Sequence, residues 1–194
     1  RLGMAFGFGH STADVNSRSA NAKIDNYTLG AYGSSAISLA TLRYGAAYSW
    51  HQIDSRRNTL ADMPRSRADY HARSAQAFVE LATSKQFGSM TLEPFVGLTY
   101  IDTRASGFDE SGAAGLHGDR SRFNLGFSTL GLRASTQWDL SNQSTLGVDA
   151  SLGWLHALGG TTPTTNMNWQ GGTSFTTAGL PVARNMLAVQ TGLT

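Results

Sequence analysis

Any chemistry of this chain's own has to come from its five histidines, its thirteen acidic residues and its hydroxyl side chains, because it contains no cysteine. Disulfides, iron–sulfur clusters and thiolate metal sites are excluded. His10, His51, His71, His117 and His156 never stand four residues apart, so none forms the metal-binding pair of a shared helix face. His51 with Asp54 or Asp69 could activate a serine across a loop, but a solvated histidine at a strand end is the simpler reading. Gly126-Phe127-Ser128-Thr129-Leu130-Gly131 carries its second glycine one place late for a nucleophile elbow, and Gly7-Phe8-Gly9 lacks the third glycine and helix of a phosphate loop. Asp109, Glu110 and Asp119 could hold a divalent cation, yet in a long polar connection they read as solvated. The sequence assigns no catalytic residue, no metal site and no cofactor. More informative are Arg43, Glu80, Glu93, Arg133 and Asp149, which sit inside segments of alternating polarity.

Those segments are strands. Leu2, Met4, Phe6 and Phe8 alternate with Gly3, Ala5, Gly7 and Gly9, which puts large apolar groups on one face and almost nothing on the other. The same period predicts eight strands, at about Arg1–Ser11, Asp25–Ser34, Ala40–Ile53, Ala72–Thr83, Met90–Asp102, Phe123–Thr136, Ser144–Leu158 and Val182–Thr194. Connections of 13 to 23 polar residues alternate with short ones at Ser35–Leu39, Ser84–Ser89 and Gln137–Gln143, so every long connection falls at one end. A soluble up-and-down barrel or sandwich has no reason to segregate its loops this way, whereas outer-membrane barrels do.

Composition agrees. Of 194 residues 40% are hydrophobic and only 14% charged, against roughly a quarter in soluble domains. A net charge of +2 is too small to argue nucleic-acid binding. No run approaches the roughly 18 apolar residues of a spanning helix, which leaves spanning strands open. The chain starts at Arg1 inside an alternating pattern and carries no secretory signal, so it reads as an internal piece of a longer polypeptide.

The five embedded ionic residues all occupy the phase opposite the large apolar side chains, as expected where a basic residue facing lipid costs about 2 to 4 kcal/mol at mid-bilayer. Tyr44, Trp50, Tyr100 and Trp154 lie on the outward phase near strand ends, where aromatic rings form interfacial girdles. The inward phase carries many glycines, Gly3, Gly45, Gly97 and Gly131 among them. They read equally as room for a lumen guest or as sites of barrel curvature.

Tyr70 to Glu80, Leu92-Glu93-Pro94-Phe95-Val96-Gly97-Leu98 and Phe127-Ser128-Thr129-Leu130-Gly131-Leu132-Arg133-Ala134 resemble the autotransporter (type V secretion) β-domain. Leu29 to Ser34, Gly45 to His51, Leu152 to Ala157 and Ala178 to Arg184 extend the resemblance, in order, over the whole chain. It implies an all-β, antiparallel up-and-down transmembrane barrel of the bacterial outer membrane, twelve-stranded in the parent with about eight strands here, as a single domain over residues 1–194. It also implies an anchor and translocator that takes part in moving an N-terminal passenger domain to the cell surface. The implied partners are the passenger, a linker helix in the lumen, outer-membrane lipids and lipopolysaccharide, and the barrel-assembly machinery; nucleic acid is not one. Arg43, Gln76, Glu80, Glu93, Arg133, Asp149 and Gln190 are then the expected lumen-lining contacts to the helix. Leu155 and Gln190 depart from the family pattern, which often has Arg and Glu there. The alternative is a self-contained small barrel serving as anchor or adhesin through its long loops; an enzyme is the least supported class.

Overall fold

The computed structural model describes residues 1–15, 20–57, 65–112, 115–140, 144–169 and 172–194. It is built from strands: β1 (Leu2–Val15), β2 (Ala20–Ile37), β3 (Ala40–Arg57), β4 (Ser66–Ala82), β5 (Lys85–Phe87), β6 (Met90–Ala105), β7 (Phe108–Asp109), β8 (Leu116–Gly118), β9 (Ser121–Leu140), β10 (Ser144–Leu158), β11 (Thr164–Trp169), β12 (Ser174–Ala178) and β13 (Asn185–Leu193). The main sheet follows the path β1-β2-β3-β4-β6-β9-β10-β13, antiparallel throughout and curved into a half-barrel, with β5 paired to β6. β1 and β13 each have one unpaired edge among the described residues.

All eight predicted strands are present, but most are longer than their apolar alternation. β1 and β2 are separated only by residues 16–19, and β3 and β4 only by 58–65, so most of two expected loops is strand. The extensions carry polar and ionic pairs in place of apolar ones, so hydrophobic periodicity stops before the ladder does. Asp54 accepts from Arg56 at 3.2 Å and from Arg67 at 2.8 Å across this overhang, and His10 meets Asp25 at 2.6 Å. The asymmetry of the two ends is thus partly an overhang of strand. β9 likewise runs on to Leu140, and the last residues of the predicted Gln137–Gln143 turn lie outside the described residues. At the opposite end the turns are tight: Gly88 has φ 61° in the two-residue link between β5 and β6, a left-handed conformation that favours glycine.

Burial is inverted relative to a soluble domain. The large apolar groups of the outward phase are exposed, including Phe6, Val79, Leu98, Leu130 and Leu152, while Ala68, Ala72, Ala82, Phe95, Leu125 and Ala157 make up the buried apolar set among the described residues. An apolar surface continuous over eight strands is far beyond what a soluble monomer tolerates.

On the inward face the glycines have a further use that spacing alone did not show. A methyl on Gly3 would stand 2.6 Å from a ring carbon of Tyr32, one on Gly45 would stand 2.6 Å from a ring carbon of Phe78, and one on Gly131 would collide with the Phe95 ring. Each ring lies directly across from its glycine in the register. The glycines therefore seat neighbouring aromatic rings flat against the backbone, the pairing known to rescue glycine within sheets. Gly45→Val should overpack this seat at a cost of about 1 to 3 kcal/mol. The folded fraction of the full-length protein, read as the heat-modifiable band on a gel, should fall, and adding Phe78→Ala should partly restore it.

β7, β8, β11 and β12 form a second, four-stranded sheet from the two longest connections. It is tied to the main sheet by the Tyr70–Phe108 stack, with centroids 5.1 Å apart, and by Arg57, whose guanidinium donates to Glu110 and lies 5.4 Å from the Trp169 ring centre. Glu110 also accepts from the Leu116 backbone N–H. Asp109 bonds His117 at 2.7 Å and Asp119 lies 3.4 Å from its other nitrogen. The acidic group of this connection is thus occupied by cationic and amide partners. The Asp109 carboxylate raises the His117 pKa above its ordinary value of 6.5. This pair's stabilisation is then fully present below pH 6.5 and is lost as pH rises through the raised value. An NMR titration should show His117 falling back toward its ordinary value in Asp109→Asn.

Candidate functional site: a charged network on the inward face

Four of the seven predicted lumen residues form one closed ion-pair network. β3 brings Arg43 directly opposite Glu80 of β4, and β6 brings Glu93 opposite Arg133 of β9. Arg43 donates Nη1 and Nη2 to the two oxygens of Glu93, both at 2.9 Å, and Nη1 also to Glu80 at 2.9 Å. Arg133 mirrors it: Nη1 and Nη2 donate to Glu80 at 2.9 and 2.6 Å, and Nη1 to Glu93 at 2.9 Å. Each arginine chelates one carboxylate and bridges to the other, the geometry in which charge-assisted bonds are strongest. The carboxylates are 14–15% exposed and the guanidiniums 35–36%, so the acids lie deeper than the bases.

The backbone explains why the network can close here. Pro94 has no N–H to give a ladder, but its carbonyl accepts from the Thr83 N–H at 3.2 Å, so β4 and β5 keep one register along β6 and Ser84 comes directly opposite Glu93. Ser84, on the same phase as Glu80, faces inward and its Oγ donates to Glu93 at 2.8 Å. On the other side the Arg133 guanidinium lies 3.9 Å from the centre of the Phe95 ring, itself seated on Gly131. Sequence reasoning missed Ser84 and Phe95 as supports. The signal for both was present: a serine four residues beyond Glu80 on the same phase, and an inward aromatic opposite a glycine.

The other three predicted residues do not join. Asp149 and Gln190 border a groove of about 380 Å³ whose opposite wall is Glu93 and Arg133, and Asp149 has no hydrogen-bond or ion-pair partner among the described residues. Gln76 lies on the same face farther along β4, opposite Ala47 and Ile101.

On the opposite face Tyr44, Trp50, Tyr100 and Trp154 are exposed, at 36%, 45%, 49% and 48%. Trp50, Tyr100 and Trp154 stand toward the overhang, and Tyr44 toward the short turns. The structure adds Phe8 and Tyr27, with ring centres 5.2 Å apart, and Trp138 near the short turns. Trp138 continues the phase of Leu130, Leu132, Ala134 and Thr136, and ending the strand at Thr136 hid it.

His51 Nε2 lies 3.1 Å from Ser74 Oγ, which in turn bonds Thr103 Oγ1 at 3.0 Å. Asp54 and Asp69, the acids considered for it, project from the other face and are taken by Arg56 and Arg67. A histidine–serine contact lacking a carboxylate to orient the imidazole does not make a triad. Among the described residues no group of three or more His, Asp or Glu is placed to hold a metal ion.

A family model, the autotransporter beta-domain, matches residues 1–194. Two proteins of Serratia marcescens, each named extracellular serine protease, are 34% and 33% identical over 197 residues. The alignments cover all of this chain but only 19% of each relative, so the chain spans about a fifth of their length. Among solved structures, the translocator domain of autotransporter NalP from Neisseria meningitidis superposes with a TM-score of 0.71 at 19% identity, covering 98% of this chain and 72% of that one. The chain belongs to the autotransporter β-domain family, a family of outer-membrane translocator barrels.

Proposed function

We propose that these residues form, as a single domain, most of the wall of an outer-membrane barrel that anchors a longer protein and takes part in moving its N-terminal passenger domain to the cell surface. The observation that carries this reading is the opposition of the two faces: exposed apolar side chains across eight strands on one, and the Arg43–Glu80–Glu93–Arg133 network on the other. The apolar face meets lipid, and the network faces the lumen. Backbone polar groups cannot stay unpaired in lipid, so the edges of β1 and β13 are paired in the assembled barrel, twelve-stranded as the family resemblance implies. A linker helix in the lumen rests on Gln76, Asp149 and Gln190 and on the rim of the network. The other partners are outer-membrane lipids, lipopolysaccharide and the machinery that inserts barrels. The domain performs no catalysis, and any protease activity like that named for the Serratia relatives belongs to the passenger.

The test uses the full-length protein. The wild type should migrate differently before and after boiling. Glu80→Gln with Glu93→Gln should keep that behaviour but raise pore conductance in planar bilayers, because Arg43 and Arg133 lose their charge-assisted partners and the lumen contents loosen. Unchanged conductance at normal barrel abundance would refute the lumen assignment.

A further inference from the structure

Where the outward face leaves its apolar zone, three strands deliver arginines to one level. Arg73 of β4 stands opposite Arg104 of β6, and Arg104 opposite Arg122 of β9, while Arg73 also lies opposite Trp50 of β3. Like charges directly opposite one another on a sheet face are unfavourable. Among the described residues only Asp102 offsets them: it accepts from Arg104 Nε at 2.7 Å and from Arg122 Nε at 2.6 Å. The carboxylate is 12% exposed, while the two guanidiniums are 62% and 54% exposed. Arg73 is exposed and has no ion-pair partner among the described residues. The next arginines along the overhang differ, since Arg56 and Arg67 share Asp54 and Asp69. Three cations against one carboxylate leave the Arg73 row short of anions.

A groove leads up to this row. Its volume is about 510 Å³ and its lining is almost wholly apolar: Ala46, Ala75 and Ala77 floor it between Met4, Tyr48 and Tyr100, and it ends at Asp102. An apolar channel that opens beneath a set of guanidiniums fits a molecule with a hydrocarbon tail and an anionic head. Guanidinium forks match phosphate oxygens bidentately, and basic clusters beside a membrane draw anionic headgroups. We propose that Arg73, Arg104 and Arg122 bind the phosphate of a membrane lipid headgroup while one of its acyl chains lies in the Ala46–Ala75–Ala77 groove. This rests on the reading that the outward face meets lipid. The groove selects lipid over free phosphate, because an inorganic ion has no use for it.

The test is binding to the full-length protein in dodecyl maltoside, measured by native mass spectrometry. The probes are bis-phosphorylated lipid A, the same lipid after enzymatic dephosphorylation, and inorganic phosphate. The phosphorylated lipid should bind at least tenfold more tightly than the dephosphorylated one. Arg73→Gln, Arg104→Gln and Arg122→Gln together should erase that preference. Ala77→Leu, which fills the groove, should weaken binding severalfold, whereas Arg56→Gln with Arg67→Gln should leave it unchanged. If the triple variant lacks a heat-modifiable band, Arg104→Gln alone carries the measurement. Equal binding of the two lipids, or wild-type binding by the arginine variants, overturns the site. Displacement of the lipid by inorganic phosphate at equal concentration overturns the choice of a lipid ligand. A wild-type protein with no heat-modifiable band overturns the barrel reading itself, and is seen before any lipid is added.

Discussion

Val79→Arg and Leu98→Arg are each expected to stop the full-length protein from assembling in the outer membrane. The two side chains are direct cross-strand neighbours of β4 and β6, 41% and 54% exposed on the apolar face. A guanidinium there meets hydrocarbon at about 2 to 4 kcal/mol, a large fraction of the 5 to 15 kcal/mol that holds a typical domain folded. The measurement is the heat-modifiable band in isolated outer membranes, which should be lost or strongly reduced. Glu80→Gln, one residue along, changes the other face and should leave the band in place. Equal loss from both would mean that the faces have been assigned the wrong way round.

The second large effect lies in the network. Arg133→Ala leaves the carboxylates of Glu80 and Glu93 sharing one cation, Arg43, and should lower stability in detergent by about 2 kcal/mol, an estimate reduced for the partial exposure of the site. Adding Glu93→Gln removes the surplus charge, so the double variant should be more stable than the two single effects added together predict. A double-mutant cycle by urea denaturation should give a coupling of about 1 kcal/mol or more. Strict additivity would show that the four side chains are neighbours without energetic consequence.

The main sheet was legible because a side-chain period of two is imposed by the strand itself, and one lipid-facing side writes that period in apolar residues. Every charge on the inward phase could be placed for the same reason, and Arg43 with Glu80 and Glu93 with Arg133 needed only the strand order to become pairs. What the pattern could not carry was anything beyond the apolar zone. Lys23, Asp25, Asp54 and Arg56 continue the ladder into water, where polar residues suit both faces and periodicity falls silent. The second sheet rests on specific ties such as Arg57 to Glu110, which no spacing encodes. Ser84 reaches Glu93 because β4 and β5 keep one register along β6 and set the two side chains directly opposite, a pairing that needs the strand order to be seen.

The rings seated on glycines bear on how the strands find their alignment. Alternation of faces rules out a slip of one residue, since every apolar group would turn to the wrong side, but it is blind to a slip of two. After a slip of two, Phe78 would face Arg43 or Ala47 in place of Gly45, and Phe95 would face Thr129 or Arg133 in place of Gly131. Each of those positions carries a Cβ that a ring lying flat on the backbone cannot tolerate. The glycines thus act as a proofreading key cut into the wall: hydrophobicity tells each strand which side to show, and the rings tell it where along its neighbour to stop.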